Sequence, residues 1–181
     1  TLESLPYSQR ASLSDATQDT LNPDGTTQRL VNDKVGYIRN SVKATVDAYD
    51  GTVDLYEFDK NDPVLKAWEG VFPDVVKPEA EISDELREHF RYPEDMFKVQ
   101  RDLLARYHVD DPNVFFNNDA FWSVPNDPTA EESRQLNQPP YYVMAADPET
   151  GKPTFQLTTS YRGLNREFLS AHMAVSSEPE N

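Results

Sequence analysis

The chain has 181 residues, and its 17 basic against 32 acidic side chains leave a formal net charge of −15, a field that repels phosphate backbones and anionic headgroups and argues against a nucleic-acid partner. No cysteine is present, which removes disulfides, thiolate nucleophiles and thiolate metal sites. Fourteen prolines, where about nine would be usual, predict long punctuated connections around a modest core; the longest apolar run, Tyr141–Ala146, is far short of the ~20 residues that span a bilayer.

Residues 1–36 are rich in Ser, Thr, Asp, Gln and Asn without sustained periodicity, and read as a polar, loosely ordered arm with a turn at Asn22-Pro23-Asp24-Gly25. Thr1 stands where an initiator Met would, without a leader pattern, so a cut or processed start is expected. Residues 37–181 read as a single α+β domain. Within it, Ser41–Asp59 carries two alternating runs around Asp50-Gly51, a pair that accepts the positive φ angles of a two-residue hairpin turn. That turn would set Tyr49 opposite Thr52 and Val46 opposite Leu55. Val42, Ala44, Val46, Ala48, Val53 and Leu55 would then share an apolar face, to be covered by later helices, chiefly Pro93–Tyr107.

Asp62-Pro63 predicts a capped helix with Val64, Leu65, Trp68, Val71 and Phe72 on one side, ended by Pro73. Ser83 caps a second helix that stops before Tyr92-Pro93. The third and strongest runs from Pro93 to about Tyr107, with Met96, Phe97, Val99, Leu103, Leu104 and Tyr107 inward and Lys98, Arg101, Asp102, Ala105 and Arg106 outward. Gln100 falls inside that apolar stripe and is expected to bond main chain. Asp111-Pro112 starts one further turn. An irregular stretch over 113–139 follows, in which Phe115, Phe116, Phe121 and Trp122 serve as anchors. Strands over Tyr141–Ala146 and Thr154–Tyr161 form a second hairpin around Asp147–Gly151, and Phe168–Ser176 adds a strand with Leu169, Ala171, Met173 and Val175 inward. The expected fold is α+β: an antiparallel sheet from two hairpins plus a C-terminal strand, with three or four helices packed on one face.

Reactive constellations are mostly missing. The chain lacks a glycine-rich phosphate loop, a G-x-S-x-G elbow, an H-E-x-x-H motif and a complete calcium loop, although Asp59, Asn61 and Asp62 are closely spaced oxygens. No cofactor or metal is expected, and no catalytic residue is assigned. His89 and His108 lie near helix ends, where histidines bond the last free carbonyls. Arg39, Arg91 and Arg162 lie at element boundaries of an acidic chain, positions from which a guanidinium clamps carbonyls or a carboxylate. With Tyr92 and His108 they make up the candidate ligand or partner site.

The runs Tyr37–Lys43 and Val46–Gly51, with Asp62-Pro63, Phe72-Pro73, Arg91-Tyr92-Pro93-Glu94, Phe97, Gln100, Tyr107-His108 and Arg162-Gly163, resemble an uncharacterised family of large bacterial, mainly actinobacterial, multi-pass membrane proteins. The resemblance runs from about Tyr7 to Asn181. It implies that this chain is part of the extracytoplasmic region that follows the membrane spans, on the outer side of the plasma membrane. It brings no catalytic residues. The expectation is a non-enzymatic binding or interaction module of the cell envelope, whose partners are the rest of its own membrane protein, an envelope protein or a cell-wall ligand. The alternatives are an envelope hydrolase acting on cell-wall sugar or peptide through a carboxylate pair, or through His108 with Asp110 or Asp111, and a cation-binding module.

Overall fold

The structure is a computed structural model that describes residues 11–12, 34–130 and 136–177. Most of the expected N-terminal arm, including its turn at residues 22–25, lies outside the described residues. The strands are β1 (Ala11–Ser12), β2 (Lys34–Val35), β3 (Val42–Val46), β4 (Val53–Glu57), β5 (Val76–Lys77), β6 (Trp122–Ser123), β7 (Tyr141–Ala146), β8 (Pro153–Gly163) and β9 (Leu169–Ser176). The α-helices are α1 (Pro63–Val71), α2 (Asp84–Glu88), α3 (Glu94–Tyr107) and α4 (Pro112–Asn117). The fold is α+β and mostly antiparallel. Two compact units are present, one holding Arg39–Arg91 and the other the described residues before Arg39 together with Tyr92–Ser177.

The two hairpins belong to different sheets. In the Arg39–Arg91 unit β3, β4 and β5 form a three-stranded sheet in which β5 runs parallel to β4. The first hairpin also departs from its expected register: Val46 pairs with Val53 and Ala44 with Leu55. Asp50-Gly51 is not a two-residue turn. The loop is longer, closed by Asp47 N–H to the Thr52 carbonyl at 2.8 Å and by Gly51 N–H to the Asp47 carbonyl at 2.9 Å, with Gly51 at φ 78°. The shift is by two residues, so each side chain keeps its expected face. That apolar face is nevertheless not covered. Val42, Val46 and Val53 are 37%, 66% and 57% exposed, while Tyr56 on the opposite face is buried. Helix α1 begins as expected, with Asp62 accepting from Val64 N–H at 2.9 Å, but of its apolar residues only Leu65 is buried.

The second unit is built on β8, an 11-residue strand flanked by β7 and β6 on one edge and β9 on the other. Among its described residues Phe97, Leu157 and Tyr161 are the fully enclosed apolar ones, and the Tyr161 hydroxyl donates to the Arg101 carbonyl at 3.0 Å. Burial pushes that hydroxyl's pKa up. Helix α3 buries Phe97 and Val99 as expected, but its buried side extends onto residues expected outside. Lys98, Arg101 and Ala105 are buried, and Leu104 and Tyr107 are half exposed. Burial is possible because the charged heads find partners while their methylene stems pack: Lys98 pairs with Glu94 at 2.7 Å, and Arg101 donates to the Gln138 carbonyl at 3.2 Å. Gln100 takes a side chain rather than main chain as its partner, accepting from the Tyr92 hydroxyl at 2.9 Å. Phe121 is buried, as an anchor should be, but Phe116 is 86% exposed, and Leu169 on β9 is exposed as well.

Candidate functional site

The second unit contains a cleft of about 520 Å³ between the C-terminal half of α3, the segment that follows α4, and the end of β8. Each wall has a local cause. Asp102, Ala105 and Arg106 lie three and four residues apart on α3 and so share one side of the helix. Asn118 ends α4 in the left-handed conformation, φ 60°, which asparagine tolerates better than most residues, and the chain there turns into Phe121 and Trp122. Strand β6 pairs with the end of β8, Ser123 opposite Arg162 and Trp122 opposite Gly163, so the Ser123 and Arg162 side chains share a face. A β-bridge joins Asn126 to Asn137 and brings both amides to the cleft.

The lining is polar, with two guanidiniums, three carboxamides and a hydroxyl beside Trp122. Arg162 pairs with Glu167, an exposed carboxylate outside the lining. Arg162 Nε and Ser123 Oγ are buried and, among the described residues, have no hydrogen-bond partner. Among the described lining residues Asp102 alone carries a carboxylate, where glycoside hydrolysis requires a pair. His108 stands behind Trp122, stacked on it with ring centroids 3.5 Å apart. Its Nδ1 lies 2.7 Å from the Leu104 carbonyl and its Nε2 3.0 Å from the Ala120 carbonyl. Both nitrogens therefore face main-chain carbonyls. Asp111 is also committed, accepting from Asn113 and Val114 N–H at the start of α4.

The other expected site residues are placed separately. Tyr92 does not line the cleft; its hydroxyl holds Gln100, its carbonyl accepts from the Tyr142 hydroxyl at 2.6 Å, and its N–H bonds Ser177 Oγ at 3.3 Å. Arg39 and Arg91 belong to the other unit. Arg39 pairs with Asp59, and Arg91 donates to the carbonyls of Glu88 and Phe90 at 2.9 and 2.8 Å. Lys43 joins that knot, donating to the Arg91 carbonyl at 2.8 Å over the Phe58 ring, and burial lowers its pKa. Asp59 and Asp62, considered for calcium, bond Arg39 and Ser41 respectively. Among the described residues no group of three or more His, Asp or Glu could hold a metal ion, and no helix is long and apolar enough to cross a membrane. The cleft residues missed from sequence are Arg106, Asn118, Trp122, Ser123, Asn126 and Asn137. For the five that follow α3 the one sequence signal was the density of asparagine and aromatic residues in the irregular stretch, whereas Arg106 read only as an outward position of the helix.

Residues 1–181 match the profile of the uncharacterised protein family UPF0182. The chain belongs to this family. It is 74% identical over 180 residues to a UPF0182 protein of Corynebacterium glutamicum strain R, covering 99% of this chain and 18% of the relative. The UPF0182 protein of Corynebacterium diphtheriae is 68% identical over 183 residues, and that of Rhodococcus jostii 64% over 182, each covering all of this chain and 18% of the relative. The chain therefore spans less than a fifth of the length of these relatives. No solved structure matches it.

Proposed function

We propose that this UPF0182 segment is an extracytoplasmic binding module of a multi-pass membrane protein in the cell envelope, and that its cleft holds a small ligand bearing hydroxyl groups and an anionic group, such as an acidic saccharide of the cell wall. The observation that carries this reading is the convergence of Arg106 and Arg162 with Asn118, Asn126 and Asn137 on one cleft, in a chain of net charge −15. The cleft's volume falls within the range of about 300–1,000 Å³ typical of small-molecule sites. A polar lining with one indole favours a ligand that is hydroxylated and has an apolar face. The guanidiniums favour a carboxylate or phosphate on it.

Titration calorimetry with short uronate-bearing and neutral saccharides tests the ligand. The acidic ones should bind, and Arg162→Gln should weaken them by about tenfold or more, since a hydrogen bond to a charged group contributes roughly 1.5–3 kcal/mol. Equal binding of neutral and acidic saccharides, or an unchanged affinity in Arg162→Gln, would sink this assignment. Orientation is tested by placing a cysteine at the fully exposed Tyr49 and labelling whole cells with a membrane-impermeant maleimide, the unsubstituted protein serving as background. Labelling only after permeabilisation rules out the outer side.

A further inference from the structure

The Arg39–Arg91 unit has a thin core and a large uncovered apolar surface. Among its described residues the buried hydrophobics are Tyr56, Leu65 and Ile82, whereas Val46, Val53, Trp68, Val71, Phe72 and Val75 are each more than half exposed. Part of this surface is a groove of about 270 Å³ between α1 and the β3–β4 face, lined by Val42, Leu55, Leu65, Trp68, Phe72 and Val75 among others. The Trp68 and Phe72 rings stack along it, 5.6 Å apart. Contiguous apolar surface of this kind marks an interaction site, and a unit this small gains little stability from its own burial.

The sheet beside the groove also has an open edge. Among the described residues no strand pairs with the outer side of β3. Ser41 accepts from Phe58 N–H, and Asp47 donates to the Thr52 carbonyl. Antiparallel alternation therefore turns the amides and carbonyls of Val42, Ala44 and Val46 away from β4. Their side chains lie on the same uncovered face. A strand laid along β3 would satisfy these main-chain groups and extend the apolar face with its own alternate side chains.

We propose that an extended segment of the same UPF0182 polypeptide, from outside these 181 residues, adds to β3 and covers this face. More than four-fifths of each relative's length lies outside the matched stretch, so the chain that would supply the segment is abundant and tethered, which raises its effective concentration. Charge selects the occupant. Glu69 lines the groove, and Glu57, opposite Val42, lies on the same face of β4. A second copy would bring these acids against themselves, and an anionic bilayer would be repelled. The covering segment is accordingly alternating, aliphatic on one side, and flanked by lysine or arginine.

The test uses the full-length protein, with a photoreactive benzoylphenylalanine in place of Val46 or Trp68, and in place of the exposed Phe116 as a control. Irradiation should cross-link both test positions within one chain, to peptides outside residues 1–181, several-fold more than the control. In parallel, hydrogen exchange of the peptide spanning Val42–Val46 should be slowed several-fold relative to a free strand edge. Cross-links to a second copy, to lipid, to another protein or to residues within 1–181 would overturn the proposal. So would the absence of cross-links, or free exchange along β3.

Discussion

At the residue scale, three side chains distinguish structural from recognition roles. Tyr161 is fully buried and spends its hydroxyl on the Arg101 carbonyl. Tyr161→Phe should therefore cost about 1 kcal/mol, the usual net value of a neutral hydrogen bond, read as a lower urea midpoint with unchanged slope. Glu167 is 86% exposed at its side chain and pairs with Arg162. An ion pair so open to solvent contributes little to stability, so Glu167→Gln should move the urea midpoint little. It should tighten binding of an anionic ligand in the cleft, because the guanidinium no longer has a competing carboxylate; weaker binding would contradict the placement. Asp147 is exposed and accepts from Thr150 N–H, Thr150 Oγ–H and Glu149 N–H, which holds its carboxyl below the usual carboxylate range, the Thr150 main-chain bond being the largest cause. Because the folded state binds its proton less readily than the unfolded state, this contribution is complete above the ordinary carboxylate pKa and is lost as pH falls through the depressed one. Asp147→Ala should lower Tm at neutral pH, with the difference shrinking on acidification below pH 4.

At the element scale, the two hairpin loops are the same device. Asp147 N–H donates to the Lys152 carbonyl and Gly151 N–H to the Asp147 carbonyl, both at 2.8 Å, repeating the bonds of Asp47, Thr52 and Gly51. Asp47 and Asp147 each accept from the N–H two residues on, at 2.7 and 3.0 Å. The shared pattern is Asp-x-x-x-Gly, and it competes with the Asp50-Gly51 signal that pointed to a two-residue turn. The longer loop prevails because one aspartate supplies both the closing main-chain bonds and a side-chain acceptor, and glycine accepts the left-handed φ at its end. A methyl group at Gly51 would meet nothing within 4 Å, so Gly51→Ala isolates backbone strain. It should destabilise by about 1–2 kcal/mol in urea melts, and Gly51→Asn by less. Helix α3 carries a different lesson. Its period and the burial of Phe97 and Val99 were legible in sequence, but the rest of its buried side was not, because Lys98 and Arg101 count as polar until Glu94 and the Gln138 carbonyl are seen to meet them.

For the whole molecule, a net charge of −15 predicts self-repulsion, so the Tm of the 181-residue chain should rise as sodium chloride goes from low to physiological concentration, by screening. A fall in Tm over that range would point to ion pairs such as Lys77–Asp54, at 2.9 Å, outweighing the repulsion. Local chemistry written in adjacent residues determined the α+β class, the capped starts of α1, α2 and α4, and the partition of each hairpin into two faces, because caps, turns and period-two alternation act over a few residues. Resemblance of residue runs placed the chain in a family of larger proteins. Tertiary structure alone decided that the hairpins enter separate sheets, that the apolar side of β3 and β4 stays open, and that Arg162 lines one cleft with Arg106 and three asparagines while Arg39 and Arg91 serve their own unit. These outcomes depend on which distant surfaces meet, and a linear pattern of apolar and polar residues is the same whether a face is covered by its own chain's neighbours or left for another segment.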